Sequence, residues 1–144
     1  MPRTLADLLA DARARITRLT PGQAFEAMSN GALLVDTRSE RDRERSGVAP
    51  GSIHIPLSVL QWRLAPDSAW RNPHAGPADR KVLVICEHGY SSSLAAATLV
   101  DLGLDASDVV GGFEAWRAEG LPTIPPGQCH ADDELPGMGE PEAR

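Results

Sequence analysis

The hydrophobic positions of this chain follow two different periods. Short continuous apolar runs, 32–35 and the four residues that follow Lys81 in segment 81–85, indicate strands that are buried on both faces. Segments 4–16, 20–31, 94–102 and 113–119 place their apolar residues at helical spacing instead. Strands therefore alternate with helices, and this order predicts an α/β domain with a mainly parallel central sheet flanked by helices.

Several of the predicted helices carry end signals. Thr4 precedes the first helix with Asp7 three residues later, and Thr20 precedes Pro21 at the start of the second. Glycines at 103 and 120 follow the last turns of two later helices. The apolar face of segment 4–16 has two interpretations: the helix lies on the domain's own surface, or it docks a partner.

The remaining segments give weaker signals. Residues 40–46 alternate in charge and predict a solvated helical turn with surface ion pairs of little energetic weight. Residues 52–55 predict a short strand that ends at Pro56, and 57–64 predict a helical segment. Residues 65–80 predict an irregular connection, and Val109-Val110 a last short strand.

Composition narrows the class of protein. The 144 residues include 14 basic and 20 acidic side chains, a net charge of -6, which argues against sequence-independent nucleic-acid binding. Apolar residues make up 42% of the chain, as in a globular domain, and no apolar run is long enough to cross a membrane. The first residues lack the apolar core of a signal peptide, so we expect a cytoplasmic protein.

Three regions are expected along the chain. Residues 1–19 form an N-terminal amphipathic helix, 20–124 the main domain, and 125–144 an acidic, proline-rich tail. Prolines and acids are already frequent from residue 122, so we expect the chain to be mobile from there onward.

The two cysteines, Cys86 and Cys129, are too few for a disulfide scaffold and cannot close a zinc site unaided. We therefore expect no metal and no cofactor.

Cys86 ends the strongest predicted strand and precedes the strongest helix, the position where parallel sheets bind ligands. The short loop after it has a central glycine and hydroxyl residues, so its amides and the helix N-terminus can hold an anion and lower the pKa of the thiol. Two interpretations remain: a nucleophile, or a small buried hydrophobic residue.

Three separated motifs resemble one family. The loop Cys86-Glu87-His88-Gly89-Tyr90-Ser91-Ser92 resembles the active-site loop of the rhodanese superfamily, in particular its single-domain bacterial thiosulfate sulfurtransferases. Asp36-Thr37-Arg38 with 51–56 is similar to the family's upstream signature, and 110–116 with 120–122 to its C-terminal element.

The resemblance implies a three-layer rhodanese-like domain and a sulfurtransferase. Its loop cysteine, Cys86, would carry a sulfane sulfur from a small anionic donor such as thiosulfate to cyanide, a thiol or a redox protein. Nucleic acids and membranes would not be partners. The backbone amides of 87–92 would bind the charged sulfur, with side chains of His88, Ser91 and Ser92 beside it; Glu87, Gly89 and Tyr90 complete the substrate loop. Asp36 and Arg38 would support it by holding the upstream turn, or Arg38 would lie near the substrate.

The loop departs from the family pattern because it contains no arginine, so binding of a dianion would depend on backbone dipoles. A related class, the dual-specificity phosphatases, needs an arginine six residues after the cysteine, where this chain has Ser92.

Two alternatives to the transferase remain. One is a non-catalytic binding or regulatory module. The other is a thiol redox or arsenate-type reductase in which Cys129 acts with Cys86.

Overall fold

The computed structural model describes residues 1–128. Within this part of the chain, five strands and six α-helices alternate along the sequence, joined by short 3-10 turns. The strands are β1 (Thr17–Leu19), β2 (Leu33–Asp36), β3 (Ile53–His54), β4 (Val82–Ile85) and β5 (Ala106–Val109). The helices are α1 (Leu5–Ala14), α2 (Pro21–Ser29), α3 (Glu40–Ser46), α4 (Leu60–Leu64), α5 (Ser91–Asp101) and α6 (Gly112–Ala118).

All five strands form one parallel sheet in the order β1-β5-β4-β2-β3. The central strand β4 pairs with β2 on one side, where Val84 lies opposite Val35, and with β5 on the other, where Val84 lies opposite Asp108. The predicted α/β class with a mainly parallel sheet is confirmed. Because all strands point the same way, their carboxyl ends meet at one edge of the sheet.

Each face of the sheet has its own hydrophobic core. Val82 and Val84 of β4 face a core that contains Leu60 of α4 and Leu99 of α5. Leu83 and Ile85 point to the opposite face, into a second core formed by residues of α2 and α6 such as Ala24, Phe113 and Trp116. Alternate residues of one strand therefore enter different cores, and this is why its sequence is apolar throughout.

Helix starts follow the sequence signals closely. Thr4 and Asp7 form a reciprocal capping box at α1, and Thr20 and Gln23 form another at α2. Two elements begin three residues earlier than predicted. Helix α5 begins at Ser91 rather than at 94, and β5 covers 106–109 rather than 109–110. The residues left out of the two predictions are mainly serines and an aspartate, at 91–93 and 106–108. These residue types have a weak intrinsic preference for helix or strand, and tertiary contacts outweigh it.

Helix α1 packs against α5 with Ala12 buried, while Leu5 and Leu8 are exposed. Two expectations about exposure were wrong. Arg43, in the segment predicted to be solvated, is buried beside Asp36. The chain from residue 122 to 124 is bound to the domain, since Ile124 pairs with Val48 and Trp116 donates to the carbonyl of residue 122.

Residues 17–19 form a strand, β1, within the segment 1–19 that was predicted to be a helix, and the helix itself ends at Ala14. Within residues 1–128, no helix is long and apolar enough to cross a membrane.

Candidate active site

The Cys86 loop lies at the carboxyl edge of the sheet, between the end of β4 and the start of α5. The cysteine is buried, with only 6% of its surface exposed, and its thiol is free. Its Sγ accepts a hydrogen bond from the backbone amide of Gly89 at 3.1 Å. The amino-terminal end of α5, an 11-residue helix, directly follows the loop and adds its positive dipole end.

The carbonyl groups of the loop are held by neighbouring elements. Those of Cys86 and Glu87 accept from the first amides of α6, Phe113 at 2.8 Å and Glu114 at 3.1 Å. The carbonyl of Gly89 accepts from two arginine side chains. In a trans peptide the next N–H points away from the C=O, so each held carbonyl also fixes the direction of one amide. The held carbonyls of Cys86, Glu87 and Gly89 therefore fix the orientation of the peptide groups that follow them.

Two glycines permit this close packing. A Cβ on Gly112 would lie 2.5 Å from the carbonyl oxygen of Cys86, and a Cβ on Gly89 would lie 2.7 Å from the amide nitrogen of Gly111. Both glycines also have φ in the left-handed region, which side chains disfavour. The Gly-Gly turn before α6 and the Cys86 loop therefore pack backbone against backbone.

The thiol of Cys86 has a lowered pKa. Burial acts to raise this pKa, but hydrogen bonds from the Ser92 and Ser91 hydroxyls and from the backbone amides of Ser92 and Gly89 outweigh it. The Ser92 hydroxyl also lies 2.8 Å from Oδ2 of Asp108, to which it donates. A hydroxyl carries a single proton, so the sulfur and the Asp108 carboxylate compete for this donor.

Glu87 does not leave an uncompensated negative charge in the loop. Its Oε1 lies 3.3 Å from Nη1 of Arg38. The Arg38 guanidinium is fully buried, pairs with Asp36 at 2.9 Å, donates to the carbonyl of Gly47 and stacks 3.7 Å from the centre of the Phe113 ring. Arg38 thus links the turn after β2 to the loop after β4.

The side chains of His88 and Tyr90 lie at the outer rim of the loop. His88 pairs through Nδ1 with Glu114 at 2.6 Å, and both side chains are largely exposed. The exposed ring of Tyr90 has Arg13 5.7 Å from its centre. Of the substrate residues predicted from the sequence, Gly89 donates its amide hydrogen bond to the sulfur and Ser91 and Ser92 lower the pKa of the thiol, whereas these two rings face solvent.

Three residues at the base of the loop were absent from the sequence analysis. Arg13 of α1 and Arg18 of β1 bind the Gly89 carbonyl, and Asp108 of β5 binds Arg18 and two loop serines. They lie far apart in sequence and belong to no motif. The one available signal was an acid, Asp108, directly before the predicted strand Val109-Val110, where a buried charge would require a partner.

No group of three or more potential metal ligands of the His, Cys, Asp or Glu type occurs among residues 1–128. A cleft of about 490 Å³, lined by Trp62, Trp70 and Leu102 among others, contains none of the predicted site residues. Leu102 follows the last turn of α5, so this cleft lies roughly 15 Å from the loop at 1.5 Å per helical residue. This cleft is therefore separate from the Cys86 loop.

The fold and the loop together define a class: α/β proteins that present a cysteine in an amide-lined loop at the carboxyl edge of a parallel sheet. The sequence model of a family described as "Rhodanese-like domain" matches residues 20–119. The chain belongs to this rhodanese-like family.

Curated relatives of the chain are named as sulfurtransferases. "Thiosulfate sulfurtransferase GlpE" of Pseudomonas savastanoi pv. phaseolicola is 35% identical over 102 residues, which cover 70% of this chain and 87% of the relative. The protein of the same name from Haemophilus influenzae strain PittEE is 34% identical, with 72% and 90% covered.

One solved structure is similar over most of the chain. A protein of unknown function from Rhodopseudomonas palustris, described as a possible tyrosine phosphatase, has a TM-score of 0.78 and 32% identity, with 86% of this chain and 96% of that chain covered. The predicted family, fold and transferase class are confirmed.

Proposed function

We propose that this protein transfers a sulfane sulfur from a small anionic donor to a nucleophilic acceptor through a persulfide on Cys86. Thiosulfate, which appears in the names of the two sulfurtransferase relatives, is the donor we put first. Cyanide, a low-molecular-weight thiol and the thiol of a redox protein are acceptors of the required chemistry.

Two displacements complete the cycle. The Cys86 thiolate attacks the outer sulfur of thiosulfate, a new S–S bond forms, and sulfite leaves with the electron pair of the old S–S bond. An acceptor such as cyanide then attacks the terminal sulfur of the persulfide, which releases thiocyanate and regenerates the thiolate. Charge balances in both steps, and no external oxidant or reductant is needed.

The observation that carries this proposal is the hydrogen bond that the Gly89 amide donates to the Cys86 sulfur. A persulfide bears its charge one atom beyond Sγ, so it needs donors around the mouth of the loop. The carbonyls of Cys86, Glu87 and Gly89 are held by neighbouring elements. In each case the amide of the next residue points to the opposite side of the peptide, and these amides would supply the donors. The lowered pKa of Cys86 supplies the nucleophilic thiolate.

The side chains predicted as substrate contacts would divide into two groups. Ser91 and Ser92 would bind the sulfur anion, while His88 and Tyr90 would contact the donor or acceptor at the rim, where their rings are exposed. Asp36 and Arg38 would support the loop from below, since the Arg38 guanidinium is buried and fully engaged.

A phosphatase reaction fits these residues poorly. The phosphatase described for the Rhodopseudomonas palustris neighbour would bind a phosphate dianion, and such loops use a guanidinium fork six residues after the cysteine. Here that position is Ser92, whose hydroxyl faces the buried Asp108 carboxylate. The loop therefore lacks the guanidinium that would bind the phosphoryl oxygens of a phosphate ester.

Thiocyanate formation from thiosulfate and cyanide tests the proposal directly. The wild-type protein should turn over, and Cys86→Ala should be inactive. Mass spectrometry after incubation with thiosulfate alone should show a gain of one sulfur atom on the wild type and none on the variant. Equal rates for the two proteins would refute the enzyme and favour a non-catalytic module.

The alternative reductase needs Cys129, which lies outside the described residues. A Cys129→Ser variant that loads and releases sulfur at the wild-type rate would exclude a resolving role for this thiol. A disulfide between Cys86 and Cys129 after loading, detected by peptide mass mapping, would support it.

A further inference from the structure

Two arginines from the segment before the family match converge on one backbone oxygen of the loop. Arg13 of α1 and Arg18 of β1 each place Nη2 2.9 Å from the carbonyl oxygen of Gly89. Both precede residue 20, where the family match begins. Two charged donors thus meet on one carbonyl of a buried glycine, and this carbonyl belongs to the residue whose amide binds the Cys86 sulfur.

Behind the loop, Asp108 accepts hydrogen bonds from donors on two elements, β1 and α5. Its Oδ1 accepts from Nε of Arg18 at 2.9 Å, and its Oδ2 accepts from the hydroxyls of Ser92 and Ser93 at 2.8 Å each. Arg13 donates to Oγ of Ser93 at 3.0 Å and so closes the network. Asp108 is fully buried, and this set of partners compensates its charge.

The arginines fix a peptide that would otherwise be free to turn. Gly89 has φ +84 and no side chain, so the peptide between Gly89 and Tyr90 has little intrinsic preference. Holding its carbonyl against Arg13 and Arg18 forces the Tyr90 amide to the opposite side.

The same network controls the shared proton of Ser92. The more strongly Arg18 and Ser93 satisfy Asp108, the more freely the Ser92 hydroxyl turns to the sulfur when that sulfur is ionised.

We propose that Arg13, Arg18 and Asp108 are positioning residues that hold the Cys86 loop in its sulfur-binding conformation before substrate arrives. They act through Gly89 and Ser92 and do not touch the reacting atoms. In consequence, the segment before residue 20 is part of the catalytic apparatus. The expected effect of these residues on turnover rests on the proposed function, whereas their expected effect on the ionisation of the Cys86 thiol does not.

Arg15 provides a matched control. It belongs to the same segment and pairs with Asp101, so it also links the N-terminal segment to α5. Both side chains of that pair are largely exposed and lie at the far end of α5 from the loop. Arg15→Gln removes the same charge and a comparable link without touching Gly89 or Asp108.

The experiment compares Arg13→Gln, Arg18→Gln, Arg18→Lys and Arg15→Gln with the wild type. The first readout is the rate of Cys86 alkylation by iodoacetamide against pH, in a Cys129→Ser background so that a single thiol reacts. The second is kcat and KM for thiocyanate formation. Circular dichroism and thermal unfolding verify that each variant is folded.

Arg18→Gln should shift the alkylation midpoint to higher pH and lower kcat/KM roughly tenfold, as expected for losing a hydrogen bond to a charged group. Arg13→Gln should have a smaller effect in the same direction. Arg18→Lys should recover part of the loss, since it keeps the charge but lacks the guanidinium fork. Arg15→Gln should match the wild type.

Folded Arg13→Gln and Arg18→Gln proteins with the wild-type pH profile would overturn the proposal, even if their melting temperatures fell, because that pattern describes a merely structural role. If Arg18→Gln does not fold, Arg13→Gln and Arg18→Lys decide the same question. If the wild type alkylates as expected but forms no thiocyanate, the proposed function fails while the alkylation series still tests the positioning role.

Discussion

Gly112 approaches Cys86 so closely that a β-carbon on the glycine would lie 2.5 Å from the cysteine's carbonyl oxygen. The contact joins the turn before α6 to the loop after β4 and allows the amide of Phe113 to reach the same oxygen at 2.8 Å. A motif distant in sequence thus determines the backbone geometry around the nucleophile.

Gly112→Ala should therefore damage both stability and thiol chemistry. Gly120→Ala is the matched control, because Gly120 also has a left-handed φ but has open space where a Cβ would lie. The control should lose about 1–2 kcal/mol from backbone strain alone and keep its thiol reactivity. Gly112→Ala should lose more in urea unfolding and should raise the alkylation midpoint of Cys86. Equal effects of the two substitutions would contradict the close packing.

Ser92→Ala should raise the pKa of Cys86, since its hydroxyl is the principal group that lowers this pKa against the effect of burial. Thr98→Ala, on the same helix, removes a hydroxyl that bonds to the backbone of its own helix and should leave the pKa unchanged. Alkylation rates against pH report both. We also expect sulfur transfer by Ser92→Ala to fall roughly tenfold. An unchanged alkylation profile would mean that Ser92 donates its proton to Asp108 alone.

Ionisation of Cys86 should make folding stability depend on pH. The pKa of this thiol is lower in the folded protein than in the unfolded chain, so its contribution is full above the unfolded pKa and is lost as pH falls through the folded pKa. The free energy of unfolding of the wild type, minus that of Cys86→Ala, should increase as pH rises between those two values. Urea unfolding under reducing conditions at a series of pH values measures the difference, and a decrease over that range would contradict the lowered pKa.

Arg38→Met should cost about 3–5 kcal/mol, because it leaves the buried carboxylate of Asp36 without its bidentate partner. Arg45→Met is the control. Arg45 pairs with Asp42 on the surface with most of its side chain exposed, and its loss should cost at most about 1 kcal/mol. Urea unfolding of both variants gives the comparison. A small cost for Arg38→Met would show that Arg38 is not the central link between the two loops.

Much of this architecture is readable from the sequence, and the reasons are local. The apolar runs of β2 and β4 are unbroken because both faces of these strands are covered, and Thr4 and Thr20 satisfy helix amides within their own turn. The Cys86 loop is also a contiguous segment, so its position between strand and helix follows from the order of residues.

What sequence reasoning missed depends on contacts between distant segments. The strand β5 contains Ser107 and Asp108, which a local pattern assigns to a turn, yet both are buried in the sheet. Arg13 and Arg18 look like ordinary surface cations until the fold brings them to Gly89, 76 and 71 positions later in the chain. Arg43 lies in a segment of alternating charge, and its burial depends on Asp36, which comes from another element.

The short strand β1 has a consequence for where this domain can be cut. It covers the outer side of β5, with Arg18 paired to Asp108 along the strand. A chain trimmed to the residues that match the family would lack β1 and would expose the backbone donors and acceptors of β5. An exposed edge strand of this kind can pair with another molecule and cause aggregation. Homology boundaries and the smallest soluble fragment therefore need not coincide, and expression of this domain should begin upstream of α1.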